Sequence, residues 1–319
     1  MEIRAAFRLT PHWTGLKSAI FLENDSNVIH GINLIRLIPD TTKIEPRFAI
    51  RVFKTERFIN RVKSFAQKAV NQASVKTSDL RGIEIPVPPL EVQHQIVAEI
   101  EGYQKVIDGA RQVLEGYKPR VVSSATWRIA PVGEVTNIRS GGTPDRGNPD
   151  YWGGDIPWVK TGQIDFNHIQ AAEEFITQAG LENSAARMVS AGTILMAMYG
   201  QGITRGRVAI LDIDATTNQA CAAIEVASPD VDRDFLYWSL AGKYEELRAI
   251  SEARGGNQSN LNAQLIRDLK ISLPNLATQR AIVAEIEAEQ ALVNANRELI
   301  RRMEAKVKVA IDRVWGKEG

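Results

Sequence analysis

Cysteine is almost missing from this sequence. Cys221 stands alone among 319 residues, so no intramolecular disulfide is possible and a reducing, cytoplasmic setting is expected. Histidine is scarce as well: His12, His30, His94 and His168 are scattered, and none stands in the paired spacing of a zinc site. Nothing approaches the roughly 18 consecutive apolar residues of a membrane span. The opening residues, MEIRAAFRLTPHW, lack the apolar core of a signal peptide, so a soluble chain with no membrane partner is expected. An excess of one charge is also missing. With 39 Lys and Arg against 38 Asp and Glu the net charge is +1, so any contact with nucleic acid must come from local patches.

What is present is a repeat. Residues 71–101 read NQASVKTSDLRGIEIPVPPLEVQHQIVAEIE and residues 257–287 read NQSNLNAQLIRDLKISLPNLATQRAIVAEIE, in register at an offset of 257 − 71 = 186 without a gap. Both open on Asn-Gln, carry an arginine at 81 and 267, and close on VAEIE, which points to duplication. Each copy predicts a short strand (Ile83–Val87, Leu269–Leu273), a turn at Pro88–Pro89 or Pro274, and then a helix, because proline lacks the N–H that a ladder needs.

In the first helix Ile96, Ile100, Tyr103, Ile107, Ala110, Leu114 and Tyr117 follow at spacings of four and three. In the second, Ile282, Ile286, Glu289, Val293, Asn296, Ile300, Met303, Val307, Ala310 and Val314 do the same. That is the seam of a coiled coil, with Glu289 and Asn296 as polar members that fix register at a cost in stability. Two amphipathic helices, each packed on its own domain, would give a similar pattern, and the spacing leaves both arrangements open. Leu90 to Tyr117 would span about 42 Å.

From about Arg120 to Asn275 the runs IPWVK, TILMAM, RVAIL and AAIEV alternate with glycine-rich turns, and Asp234–Ala253 is expected as a helix. This predicts an α+β domain with many loops. Gly31–Pro39 resembles Ala220–Pro229, and Arg47–Ala66 is expected as a helix in the place of Asp234–Ala253. The first repeat is thus expected to begin part-way through, since 127 − 186 = −59 puts the counterpart of Trp127 before the chain's start.

No catalytic set stands out. SGGTPDRGNPDYWGGDIPWVKTGQI (140–164) is no Walker loop, because Lys160 has no glycine directly before it. GQGITRG (200–206) misses the dinucleotide spacing by one residue, and Asn148-Pro-Asp-Tyr151 is expected as a turn rather than a methyltransferase loop. Cys221, in an apolar run, is expected as a small core residue. The runs KTGQ (160–163), YGQGITRGR (199–207), TTNQ (216–219) and ARGGNQ (253–258) share basic, amide and hydroxyl side chains with glycines. Arg pairs with guanine, and Asn or Gln with adenine, while glycine lets backbone approach phosphate. One such run is a polar loop; four in one domain point to nucleic acid.

The segments SGGTP (140–144), YWGGDIPWVKTGQI (151–164), TTNQACAAI (216–224) and the repeat ending in VAEIE resemble the specificity subunits of type I restriction–modification enzymes. The resemblance covers the chain from about Ile29 onward. It implies target-recognition domains of mixed strands and short helices joined to long antiparallel coiled-coil helices. Each recognition domain would read one half of a split site in double-stranded DNA. The expected division is a partial first recognition domain (1–89), a central helix (90–119), a complete second recognition domain (120–275) and a C-terminal helix (276–319). The implied partners are methyltransferase subunits, which hold S-adenosylmethionine, and a restriction and motor subunit. This chain would hold no cofactor and catalyse nothing. Lys160, Gln201, Thr204, Arg205, Arg207, Asn218, Arg254 and Gln258 are expected to face DNA, although Thr217-Asn218-Gln219 could equally be a structural turn. The resemblance leaves the first half-site reader incomplete, through a rearranged gene, a late start codon or a recombination fragment, and self-association could replace it. The competing expectations are a coiled-coil docking scaffold that no longer reads DNA and a self-sufficient DNA methyltransferase.

Overall fold

The computed structural model describes residues 4–9, 16–21, 34–65, 67–69, 72–74, 77–200, 203–253 and 260–316. The chain divides into two compact units, residues 1–117 with 293–319, and residues 118–292.

In the first unit β1 (Arg4–Leu9) pairs antiparallel with both β2 (Leu16–Phe21) and β3 (Leu34–Leu37). Helix α1 (Pro46–Phe53) begins where the Glu45 carboxylate accepts the Phe48 N–H and Pro46 presets the first turn. One helix is expected over Arg47–Ala66, but the structure has two, because the Thr55 hydroxyl accepts the Phe58 N–H and starts α2 (Glu56–Phe65) afresh. The hairpin β4 (Gln67–Ala69) with β5 (Gln72–Ser74) and the short α3 (Thr77–Arg81) follow. The strand expected over Ile83–Val87 does not form: among the described residues no strand pairs with it, and Ile83 and Ile85 pack instead beside Phe53, Phe58 and Val62.

The long α4 (Leu90–Gly116) buries Ile96, Val97 and Ile100 with Phe48, Val52, Ala310 and Ile311. Arg313 pairs with Glu99 at 2.6 Å, Lys306 lies 5.5 Å from the Tyr103 ring, and Arg111 pairs with Glu304 at 2.8 Å.

The second unit is built on a five-stranded sheet. Its order is β7 (Thr136–Ser140), β14 (Cys221–Val226), β11 (Ile194–Ala197), β12 (Val208–Leu211) and β9 (Asn167–Ile169). Ile194, Met196, Val208, Ile210, Ala222 and Ile224 pack on one face against Phe235, Leu236 and Leu240 of α7 (Arg233–Ala241). Their neighbours Leu195, Ala197, Ala209, Leu211, Cys221 and Ala223 pack on the other face against Val159, Ile164 and Val189. A strand buried on both faces is apolar at every position, which is why ILMA and VAIL lack alternation. Cys221 is fully buried there, and burial pushes its thiol up to about 12. The helix expected over Asp234–Ala253 is also two, α7 and α8 (Tyr244–Ala253), parted where the chain turns at Gly242 and Lys243.

Around this sheet β8 (Trp152–Val159) pairs antiparallel with β10 (Glu174–Ile176) and parallel with β13 (Thr216–Thr217). Strand β15 (Lys270–Leu273) forms because β6 (Arg128–Pro131) pairs with it. The short helices α5 (Val132–Val135), α6 (Gln178–Glu182) and α9 (Ala263–Asp268) complete the unit. The last helix, α10 (Leu276–Asp312), is 37 residues long, and residues from Val293 onward belong to the first unit.

One arrangement occurs in both units. Gln93 is fully buried; its amide donates to the Lys43 and Pro88 carbonyls at 3.0 and 2.6 Å, and its oxygen accepts the Glu45 N–H at 2.8 Å. Gln279 is fully buried too; it donates to the Asp230 and Pro274 carbonyls at 2.8 Å each and accepts the Asp232 N–H at 2.8 Å. Glu45 and Asp232 are the caps of α1 and α7. Each glutamine therefore ties a proline turn to the start of a helix far away in sequence.

Candidate nucleic-acid interface

Strand register gathers the polar runs at one end of the five-stranded sheet. Strand β9 runs parallel to β12, with Asn167 opposite Ala209, so the residues leading into both strands lie side by side. Antiparallel pairing sets the end of β11 (Ala197) beside the start of β14 (Cys221), and the end of β7 (Ser140) beside Ala222. Hydrogen bonds join the turns beyond: Gly142 N–H to the Thr217 carbonyl at 2.8 Å, Asn218 N–H to Val159 at 3.1 Å, and Met198 N–H to Ala220 at 2.8 Å. Glu252 lies 3.9 Å from Arg205, and the Leu261 N–H donates to the Met198 carbonyl at 3.0 Å.

In the glycine-rich stretch at 140–164, Gly141 and Gly142 pack without space for a side chain. A Cβ on Gly141 would lie 2.2 Å from the Thr217 carbonyl oxygen, and one on Gly142 would lie 2.2 Å from the Ala185–Ala186 peptide. Trp158, 2% exposed, donates its indole N–H to the Gly142 carbonyl at 2.9 Å and meets Trp152 edge-on at 5.0 Å. The Arg146 guanidinium stacks over Trp152 at 3.7 Å and pairs with Glu174 at 2.5 Å. Asn148 caps a short turn at Pro149–Tyr151, as the turn reading of that motif expects.

Of the eight residues expected to face DNA, Gln201, Arg254 and Gln258 lie outside the described residues. Lys160 is one-third exposed and sits between Glu174 at 2.7 Å and Glu173 at 3.2 Å. Hydrogen bonds that it donates to Glu174 first and Glu173 second hold its ammonium pKa above the ordinary lysine range. Arg146, and then Lys160, hold the Glu174 carboxyl below its usual range. Thr204 and Asn218 are half-buried. Arg205 and Arg207 lie deeper, with side chains 10% and 17% exposed, and Arg207 pairs with Asp165 at 2.6 Å. Thr217 is fully buried and the Asn218 carbonyl accepts the Cys221 N–H, so TTNQ also builds a turn. Among the described residues, the buried side-chain atoms without a hydrogen-bond partner include Arg205 Nε, Arg207 Nε, Thr217 Oγ1 and Asn218 Oδ1, all at this end. Buried polar atoms are rarely left unpaired, and such atoms gather where a ligand is met.

Sequence reasoning missed Phe166. It is 38% exposed and has φ of 51°, the single non-glycine residue in the left-handed region among those described. That conformation costs a residue with a Cβ about 1–2 kcal/mol. Tyr244 meets its ring edge-on at 5.3 Å, and the Arg207 guanidinium lies 6.0 Å away. The one signal in the sequence is an aromatic residue flanked by Asp165 and Asn167, both turn formers.

The residues expected on the helix seam are covered to different degrees. Ile96, Ile100, Ile107, Ile286 and Val293 are buried, and Tyr103, Leu114, Ile282, Ile300, Met303 and Val307 are half-buried. Glu289, which the spacing sets on the seam, is exposed, and Gln290 beside it is half-buried. A step of four from Ile286 to Gln290 follows the 3.6-residue turn of a helix more closely than a strict heptad does.

Among the described residues no group of three or more His, Cys, Asp or Glu is placed to hold a metal, and no helix is long and apolar enough to cross a membrane.

The family described as type I restriction modification DNA specificity domain matches this chain twice, over residues 14–115 and 125–304. A chain named as the MjaX specificity subunit of a type I restriction enzyme in Methanocaldococcus jannaschii is 24% identical over 322 residues, covering 92% of this chain and 73% of that one. The EcoR124I/EcoR124II specificity subunit of Escherichia coli is 22% identical over 217 residues, covering 67% of this chain and 52% of its own length. A solved chain from a study of complex assembly and conformational transition in the type I system superposes with a TM-score of 0.68 at 18% identity, covering 98% of this chain and 81% of that chain. The S subunit of a type I system from M. genitalium gives 0.52 at 14% identity, with 100% and 83% covered. At these identities the superpositions speak for the fold.

Proposed function

We propose, because this chain belongs to the type I restriction–modification DNA specificity family, that the end of the five-stranded sheet in residues 118–292 is the surface through which it reads DNA. A chain of this family recognises DNA and directs methylation and restriction by partner subunits; it carries out neither reaction itself. Residues 120–275 are one target-recognition domain and 1–89 belong to another. Each reader takes one half of a split site in double-stranded DNA. The observation that carries this reading is the convergence of 140–142, 160–163, 199–207 and 216–219 on one sheet end, joined by backbone hydrogen bonds.

Lys160, Gln201, Thr204, Asn218, Arg254 and Gln258 are the DNA-facing residues in this account. Arg205 and Arg207 stand behind them, since side chains so deeply covered cannot reach a base edge without leaving their carboxylates. DNA phosphates would compete with Glu173 and Glu174 for Lys160, so binding falls steeply with salt.

The helices at 90–119 and 276–319 pair antiparallel as a coiled coil that spaces the readers and docks methyltransferase subunits. Support comes from the order of the contacts: 99 with 313, 103 with 306, and 111 with 304, rising in one helix as they fall in the other. The matched glutamines 93 and 279, 186 residues apart, support duplication of a whole unit of structure. S-adenosylmethionine belongs to the methyltransferase partner and DNA translocation and cleavage to the motor subunit; self-association with a second copy of this chain is a further candidate contact.

The test is selection of bound duplexes from a random pool by the full chain with a type I methyltransferase subunit. A defined half-site should be enriched. A stable complex that enriches no sequence would leave a docking scaffold without a reader, and methyl transfer by the chain alone would make it an enzyme in its own right.

A further inference from the structure

We infer that Phe166 is a specificity-determining residue, whose exposed ring makes apolar contact with the 5-methyl group of a thymine in the major groove. The inference rests on the sheet end being the DNA-reading surface, and it adds a residue that the polar runs do not contain.

Three observations carry it. The first is position: Phe166 directly precedes β9, whose parallel pairing with β12 sets it beside the turn at 203–207. Tyr199 and Ile203, 41% and 62% exposed, are the other large apolar side chains that this end leaves open. The second is strain. A chain that needed only a turn here would use glycine or asparagine, which enter the left-handed region at little cost. Phe166 holds that conformation although its ring belongs to no buried cluster among the described residues and packs only against Tyr244 and Arg207.

The third is support. Asp165 is pinned by Arg207 at 2.6 Å, and the Asp165 N–H donates to Asn167 Oδ1 at 2.8 Å. The Tyr244 hydroxyl donates to the Ile203 carbonyl at 2.6 Å, so the ring that meets Phe166 is itself fixed to the neighbouring turn. A side chain held this way has lost its rotamer freedom before DNA arrives. The same support decides the mode of contact. A wedge between base steps needs both ring faces free and a long reach, whereas the Phe166 ring already packs against Tyr244 and Arg207. An exposed apolar ring suits a methyl group, and thymine is the base that carries one in the major groove.

The experiment uses the full chain with its methyltransferase partner on a random-sequence duplex pool, mapping methylated sites for the wild type, Phe166→Ala and Phe166→Gly. In both variants one T·A position of the half-site read by residues 118–292 should become degenerate, with discrimination there reduced roughly tenfold. Replacing that thymine by uracil, which lacks the methyl, should cost the wild type a similar factor and the variants nothing more. Phe166→Gly relieves the backbone, so its melting temperature should stay level or rise, which separates lost reading from lost folding. An unchanged motif in Phe166→Gly, a half-site without thymine, or a wild type that accepts uracil at every thymine overturns the inference and leaves the reading surface standing. Wild-type methylation with no motif at all overturns both.

Discussion

A methyl group on Gly142 would lie 2.2 Å from both the Ala185 carbonyl carbon and the Ala186 nitrogen, and backbone cannot retreat as a flexible side chain can. Gly142→Ala should therefore destabilise the protein by about 3 kcal/mol, measured by urea unfolding. Gly162→Ala, with nothing within 4 Å of the added carbon, should stay within about 0.5 kcal/mol. Charge is tested at Glu174. Arg146 and Lys160 lower its folded pKa, so the pair's contribution is complete above the unfolded value and disappears as pH falls through the folded one. Acidification below about pH 4 should remove a stabilisation of no more than about 1 kcal/mol, since its partners are partly exposed. Glu174→Gln should flatten that acid limb of the pH–stability curve; an unaltered limb would mean that Glu174 is not the group responsible.

At the scale of elements, the buried glutamines matter most. Gln279→Leu leaves the Asp232 N–H and the Asp230 and Pro274 carbonyls without their partner, and should cost about 3 kcal/mol. Gln93→Leu should cost about as much, with faster hydrogen exchange at Glu45, whose N–H it frees. Neither role could be seen in the sequence, where Gln93 and Gln279 look like two more polar helix residues. The repeat sets them at matching positions, but two of the three partners of each lie 47 to 50 residues away, and only the fold brings them near. Legible parts were those with local causes. VAIL and ILMA are apolar at every position because both faces are buried, and the proline turns and long helices follow from backbone chemistry. The breaks at Thr55 and Gly242 were missed because a single hydroxyl cap or one glycine decides them against an otherwise helical pattern. The expected strand at 83–87 failed for want of a partner, which no local pattern reveals.

For the whole molecule, the described parts of the runs at 140–142, 160–163, 199–207 and 216–219 are brought together by strand register. Residue-level roles were harder to see: Lys160 is held by two carboxylates, Arg205 and Arg207 are largely covered, and Phe166 carries no polar signal. Burial and pairing depend on distant segments, which composition does not reveal. The central claim is that this surface selects the DNA sequence that partner subunits modify. It is tested most directly by mapping methylated adenines for the complex of the full chain with its methyltransferase subunit, before and after replacing Gln201, Thr204, Arg254 and Gln258 together by alanine. The account predicts a defined half-site for the wild type and loss or change of that half-site in the variant, with the complex still assembled. The same half-site in both would contradict it.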